Sequence, residues 1–275
     1  MSTAPGAPDR FGAGREVLAQ VAGSAGARVL DGLADIAPDL ARLTVEFGYG
    51  DIYTRPGLSL PQRQVLNVAA LTALGTAAPQ LRFHIDGALN VGVAPDEIVE
   101  TIIHTAAYAG FPAALNGLAV ARAAFADRPD VAYVPGSRRI GPALTSDQRY
   151  ECGVAVLRRV AGPDAEGVVE SLADIAPDLG RLLVEFAFGD IHARIGLAEK
   201  TRELATIAIC TALGTAAPQL RWHLHGFLNV GGTRMEAVET IIQMASYAGF
   251  PAALNGIALA REVFAERDAS ADESS

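Results

Sequence analysis

The chain has 275 residues, half of them hydrophobic and 19% charged, with a formal net charge of −9. This is the composition of a folded globular protein, and its acidic balance argues against nucleic acid as a partner, because phosphate binding needs a basic surface. The opening Met1-Ser-Thr-Ala-Pro-Gly lacks a basic segment and an apolar run, and uncharged stretches such as Val65 to Leu81 are broken by Gly75 and Pro79. No secretory signal and no membrane span are therefore expected, and the expected location is cytoplasmic.

Residues 1–10, rich in Pro, Gly and Ala, read as a flexible N-terminus. Phe11 to Gly23 carries Val17, Leu18 and Val21 at helical spacing, and Ala27 to Leu33 makes a short second helix. Asp39 to Tyr53 is a third, with Leu40, Leu43 and Phe47 on one face and Glu46 beside them. After the Arg55-Pro-Gly57 turn, Pro61 opens a helix that stops at Gly75. Further helices run from Pro79 to Asn90, from Pro95 to Gly110, and from Pro112 to Phe125. No alternating apolar–polar run predicts a strand, so the fold class is all-α.

The pattern then returns at an offset of 139 residues. Asp35-Ile-Ala-Pro-Asp-Leu40 recurs from Asp174, Thr72-Ala-Leu-Gly-Thr-Ala-Ala-Pro-Gln-Leu-Arg82 from Thr211, and Tyr108 to Gly117 from Tyr247, each without a change. Two tandem helical domains follow, 11–126 and 150–265, each expected to bury its own core. Residues 127–149 form the linker, and the acidic, Ser-rich tail 266–275 is expected to be disordered. Cys152 and Cys210 are far apart and form no CxxC, as expected of reduced thiols.

Chemistry is expected around the second repeated stretch. His84 and His223 hold the same place in both halves, and histidine suits proton transfer near neutral pH. Arg82/Arg221 and Arg63/Arg202 could hold a substrate carboxylate or pair with retained acids such as Glu46/Glu185 and Asp51/Asp190. Glu46 and Glu185, on apolar faces, are either paired acids or pocket acids. Tyr108 and Tyr247 either line a cleft or bond within the core. The halves also differ: Tyr53 becomes His192, Gln64 becomes Glu203, Asp86 becomes His225, and His104 stands where the second half has Gln243. Titratable groups thus concentrate in the second half. His223 and His225, two apart on a helix, diverge, so no metal site is expected.

Each unit resembles the carboxymuconolactone decarboxylase family, which shares its fold with alkylhydroperoxidase D-like proteins. The residues that carry the resemblance are Phe47-Gly-Tyr-Gly-Asp-Ile52 and Phe188-Gly-Asp-Ile191, Arg55-Pro-Gly-Leu58, Leu81-Arg-Phe-His84 and Leu220-Arg-Trp-His223, Gly87 to Gly92, and Tyr108-Ala-Gly-Phe-Pro-Ala-Ala114. It implies an all-helical homo-oligomer, with a trimer of fused pairs fitting six similar units. The redox branch of that fold carries a CxxC where this chain has Ala77 and Gln80, and Ala216 and Gln219; thiol peroxidase chemistry would then lack its sulfurs. That branch also has a Glu after the Arg of the preceding helix, a place filled here by Glu203 and by Gln64. The decarboxylase branch has Glu four residues before the His, where this chain has Gln80 and Gln219. The resemblance implies a cofactor-independent decarboxylase or related proton-transfer enzyme acting on a small carboxylated, lactone-like or polyketide-like molecule. In that reading Arg221 or Arg202 orients the acid and His223 donates the proton or polarises a carbonyl. Gln219 offers a neutral hydrogen bond, and Trp222, Phe186 and Tyr247 exclude water. A thiol-dependent redox protein and a non-catalytic binding paralogue are the alternatives.

Overall fold

The computed structural model describes residues 9–134, 144–162, 165 and 167–273, and these contain helices and no strand. The first unit runs α1 (Arg10–Ala22), α2 (Ala27–Asp31), α3 (Pro38–Leu43), a π-helical segment (Thr44–Ile52), α4 (Leu60–Leu74), α5 (Ala78–Asn90) and α6 (Pro95–Ala126). The second runs α7 (Ser146–Ala161), α8 (Gly167–Glu170), α9 (Pro177–Leu182), a π-helical segment (Leu183–His192), α10 (Glu199–Leu213), α11 (Ala217–Asn229), α12 (Arg234–Ala248) and α13 (Phe250–Glu273).

Helix starts follow the expected chemistry. The Ser59 hydroxyl accepts the Gln62 N–H at 3.4 Å while the Gln62 side chain accepts the Ser59 N–H at 2.9 Å; Thr233 and Glu236 close the same box on α12. Three expectations change. The helix read over Asp39–Tyr53 is α-helical only to Leu43; its second half widens to i→i+5 bonds, as in Tyr53 N–H to Gly48 C=O at 3.2 Å. The 127–149 linker ends early, because Thr145 caps α7; its residues 135–143 lie outside those described. The tail does not leave the fold at residue 266: α13 continues to Glu273, with Glu266 and Arg267 bonded to α11 and Asp268 to Arg234 of α12.

By length and composition α6 would suffice to cross a membrane. It is broken, however, at Gly110, whose φ of 80° and ψ of 168° are open essentially only to glycine. Gly249 makes the same break between α12 and α13, at φ 85°.

The two units do not keep separate cores. Every residue of α4 from Arg63 to Ala73, and of α10 from Arg202 to Ala212, is buried. A helix buried all round has to be central, and α4 and α10 pack on each other through Ala69, Ala73, Ala205 and Ile209. Leu58, Leu66 and Ala70 of the first half share one cluster with Leu204, Phe227 and Met244 of the second. Each half also sends a buried acid into the other. Glu100 of α6 accepts from Arg194 at 2.6 Å and Arg202 at 3.3 Å, and Glu239 of α12 accepts from Arg55 at 2.8 Å and Arg63 at 3.3 Å.

Candidate active site

Two side-chain clusters lie where the halves meet, and each is built from both. The end of a π-helical segment supplies Tyr53 or His192, the buried helix supplies Gln64 and Asn67 or Glu203 and Thr206, and the α5 or α11 helix supplies His84 or His223. The tyrosine comes from the opposite half. Tyr247 enters the first cluster and Tyr108 the second. The water-excluding place expected for Tyr247 beside His223 is therefore taken by Tyr108, because the break at Gly110 or Gly249 follows a helix that crosses onto the other unit.

In the first cluster His84 Nδ1 lies 2.9 Å from Gln64 Oε1. Gln64 Nε2 donates to Tyr53 Oη at 3.2 Å, Asn67 donates to Tyr53 and, at 2.8 Å, to Tyr247, and the two tyrosine hydroxyls are 3.2 Å apart. Gln243 Nε2 donates to Asn67 at 2.7 Å. The network contains no carboxylate. Burial lowers His84 to about 3 and raises Tyr53 to about 12, so both are held neutral.

The second cluster is ionisable. Glu203, 0% exposed, lies with Oε2 2.7 Å from His223 Nδ1 and with Oε1 3.7 Å from His192 Nδ1. Tyr108 Oη is 2.9 Å from His192 Nε2 and 3.4 Å from His223 Nε2. His104 Nε2 is 2.8 Å from the Thr206 hydroxyl. Burial, with His223 and Arg202 nearby, pushes His192 well below the usual imidazole range, and burial pushes Tyr108 well above the usual phenol range. Gly226, one turn beyond His223, makes room for the acid: a Cβ there would come 3.0 Å from Glu203 Oε2 and 2.6 Å from Val160. Trp222 stacks edge-on against His223 at 4.7 Å, and Phe186 packs on Phe111 at 5.4 Å.

The remaining candidates lie elsewhere. Arg221 is half-buried and tied to Glu262 and Glu266; Arg82 bonds Asp86 and Asp127, both at 2.9 Å. Arg202 and Arg63 are wholly buried and held by Glu100 and Glu239, so none of the four arginines is presented to a ligand in this chain. Glu46 pairs with Arg42 at 2.8 Å, and Glu185 with Arg149 at 2.8 Å, Arg181 at 2.6 Å and Ser146 at 2.7 Å; neither reaches a histidine cluster. Asp51 and Asp190 bond Arg10 and Arg149 of α1 and α7. Gln80 and Gln219 are exposed at the starts of α5 and α11. His225 points away from His223 to Glu266 at 3.0 Å. Among the described residues no group of three His, Cys, Asp or Glu is placed to hold a metal ion. Glu100 and Glu239 escaped the sequence reading, although both sit in the run Val-Glu-Thr-Ile-Ile that recurs unchanged.

Fold and site together define a tandem helical protein whose two units share a core and complete each other's buried polar clusters. The family model for the carboxymuconolactone decarboxylase family matches twice, over residues 38–123 and 177–262, and the chain belongs to that family. The 4-carboxymuconolactone decarboxylase of Acinetobacter baylyi is 37% identical over 122 residues, 44% of this chain and 90% of that protein. The nitrosuccinic acid decarboxylase of Metarhizium robertsii is 34% identical over 89 residues, 32% of this chain and 61% of that protein. A crystal structure from Burkholderia xenovorans, described as a gamma-carboxymuconolactone decarboxylase subunit, aligns with a TM-score of 0.57 over 95% of this chain and 99% of that one. At 23% identity that likeness speaks for the fold alone.

Proposed function

We propose that the chain is a cofactor-independent decarboxylase of a small carboxylated, lactone-like molecule, and that the cluster around Glu203 and His223 is its working site. The observation that carries this reading is the buried Glu203–His223 pair at 2.7 Å, set against Gln64–His84 at the equivalent place. An acid paired with an imidazole can accept and return a proton; an amide cannot. Loss of CO2 leaves an electron pair that must be stabilised on oxygen and then protonated on carbon. His223, with Tyr108 beside it, supplies a proton donor for that step. The thiols do not favour the redox alternative: Cys210 is buried and raised to about 12, the opposite of an attacking thiolate.

The working form in this reading is a homo-oligomer. Ile36, Leu40, Leu43, Phe111 and Leu115 are exposed, and so are their counterparts Ile175, Leu179, Leu182, Phe250 and Leu254. An exposed apolar face of this extent, present twice, fits burial against further copies. A neighbouring copy is also the natural source of a group to hold the substrate carboxylate, since the chain's own arginines are engaged.

The test is CO2 release from 4-carboxymuconolactone by the purified full chain. His223→Ala and Glu203→Gln should lower kcat by about 10²–10⁴-fold, the usual worth of general acid–base catalysis, whereas His84→Ala should leave most of the turnover. Equal losses from His84→Ala and His223→Ala would remove the assignment to the second cluster. Leu40→Asp with Leu179→Asp should reduce the sedimenting mass to one chain.

A further inference from the structure

The second cluster closes on itself. Glu203 Oε2 meets His223, His223 meets Tyr108, Tyr108 meets His192, and His192 returns to Glu203 Oε1. Three of these contacts are within hydrogen-bond distance, at 2.7, 3.4 and 2.9 Å; the fourth, His192 Nδ1 to Glu203 Oε1, is 3.7 Å, and both atoms are buried without a partner. The protons account for the gap. With Glu203 as carboxylate, Oε2 accepts from His223 Nδ1–H, which leaves His223 Nε2 bare to accept the Tyr108 O–H. Tyr108 Oη then accepts His192 Nε2–H, and His192 Nδ1 is left bare. It faces Glu203 Oε1 as one acceptor faces another, so no bond can form until one more proton arrives.

We infer that Glu203, His223, Tyr108 and His192 form a ring that is one proton short. The ring takes that proton between His192 and Glu203 and delivers it at His223, with Tyr108 and His192 as relay residues acting through His223. The inference rests on the decarboxylase reading only for the destination of the proton. In the loaded ring His192 carries protons on both nitrogens. When the bond from carbon to carboxylate breaks and CO2 departs, its electron pair stays with the substrate. Tyr108 O–H passes its proton to His223 Nε2 as His192 Nε2–H passes its own to Tyr108, leaving His192 with its proton on Nδ1. The His223 Nε2–H so formed gives that proton to the carbon as the new C–H bond, and the ring is again one proton short.

The first half supplies the contrast. There Gln64 and Tyr53 replace Glu203 and His192 together. Gln64 Oε1 accepts from His84, and Gln64 Nε2 donates to the Tyr53 hydroxyl at 3.2 Å, so both ends of the Gln64 side chain are bonded where Glu203 Oε1 is not, and no proton is missing there. The other charged or titratable groups around the ring are His104 on α6 and Arg202 and Cys210 on α10. Burial, with His192, Arg202 and His223 nearby, pushes His104 down, burial pushes Cys210 up, and Arg202 is committed to Glu100. Arg202 and Cys210 therefore keep one charge state as the ring takes up its proton, and His104, bonded to Thr206, lies outside the ring.

The chain has five histidines, few enough to follow individually by imidazole 15N NMR on the full-length protein. At neutral pH, His192 should carry its proton on Nε2 and His223 on Nδ1, and on acidification the two should shift together with one midpoint. Tyr108→Phe should separate the two responses. His192→Tyr, which copies the residue the first half already accommodates, should remove the shared midpoint. On 4-carboxymuconolactone both variants should lose about 10²-fold in kcat with KM within about twofold, and with a changed pH profile. A wild-type His192 protonated on Nδ1, or titrating independently of His223, overturns the ring, as does unchanged kcat in both variants of an active enzyme. A coupled titration in a protein that releases no CO2 supports the ring and sinks the decarboxylase reading instead.

Discussion

Two positions, Gln64/Glu203 and Tyr53/His192, separate a saturated network from an ionisable one. Exchanging them should move the chemistry. Gln64→Glu with Tyr53→His should install a second ring and raise turnover per chain toward about twofold, on the expectation that a matched acid–base pair is what catalysis lacks there; no gain in CO2 release from that protein would show that the first site fails for another reason. The buried histidines also set an acid limit. His84 is lowered by burial from 6.5 to about 3, and His104 and His192 are lowered by the same cause. The unfolded chain therefore binds protons first as pH falls. The His84 contribution to stability is complete above about pH 6.5 and is lost progressively toward pH 3, and His104 and His192 act in the same direction. Urea midpoints should decline from pH 7 to pH 4, and less steeply in His84→Gln; a flat profile would contradict the burial argument. At this scale the sequence was informative about types. His84, His223 and the Glu203 substitution stood out because a near-perfect repeat exposes its own differences. It was silent on partners: Arg221 and Arg82 read as anion binders, yet surface acids on α13 and beyond α6 reach them first.

Among the elements, α4, α10 and the broken α6 decide the geometry. A helix apolar on every face gives no periodicity to orient it, so the central packing of α4 on α10 could not be read from the pattern. Nor could the π-helical turns, since the side chains of an α- and a π-turn follow the same composition rules. The helix breaks were legible, because Gly110-Phe-Pro112 and Gly249-Phe-Pro251 announce them. Gly110→Ala forces a Cβ into a backbone region reserved for glycine and should cost about 1–3 kcal/mol, with lower kcat because Tyr108 lies two residues away. The crossing ion clusters are the second prediction at this level. Glu100→Ala leaves Arg202 buried and unpaired and should destabilise by about 3–5 kcal/mol. Denaturant unfolding measures both, and a loss below 1 kcal/mol for Glu100→Ala would mean that water replaces the carboxylate.

For the whole molecule, the tandem repeat and the all-helical class were open to sequence reading, but the independence of the two units was not. Letter-for-letter repetition suggests two self-contained domains, whereas Leu58, Leu66 and Ala70 complete the hydrophobic cluster of the other half. Residues 9–134 and 144–273 produced apart should therefore fail to unfold cooperatively, and co-expression should restore a single transition in calorimetry. The crossed tyrosines have one more consequence. If two identical single-unit chains paired in this way, each gene change would appear in both clusters at once, and a residue improved for one task would be imposed on the other. Covalent fusion releases that bond of inheritance. One position can mutate to Glu203 while its twin remains Gln64, so the two clusters are free to divide their labour, although each still depends on the other half for its tyrosine.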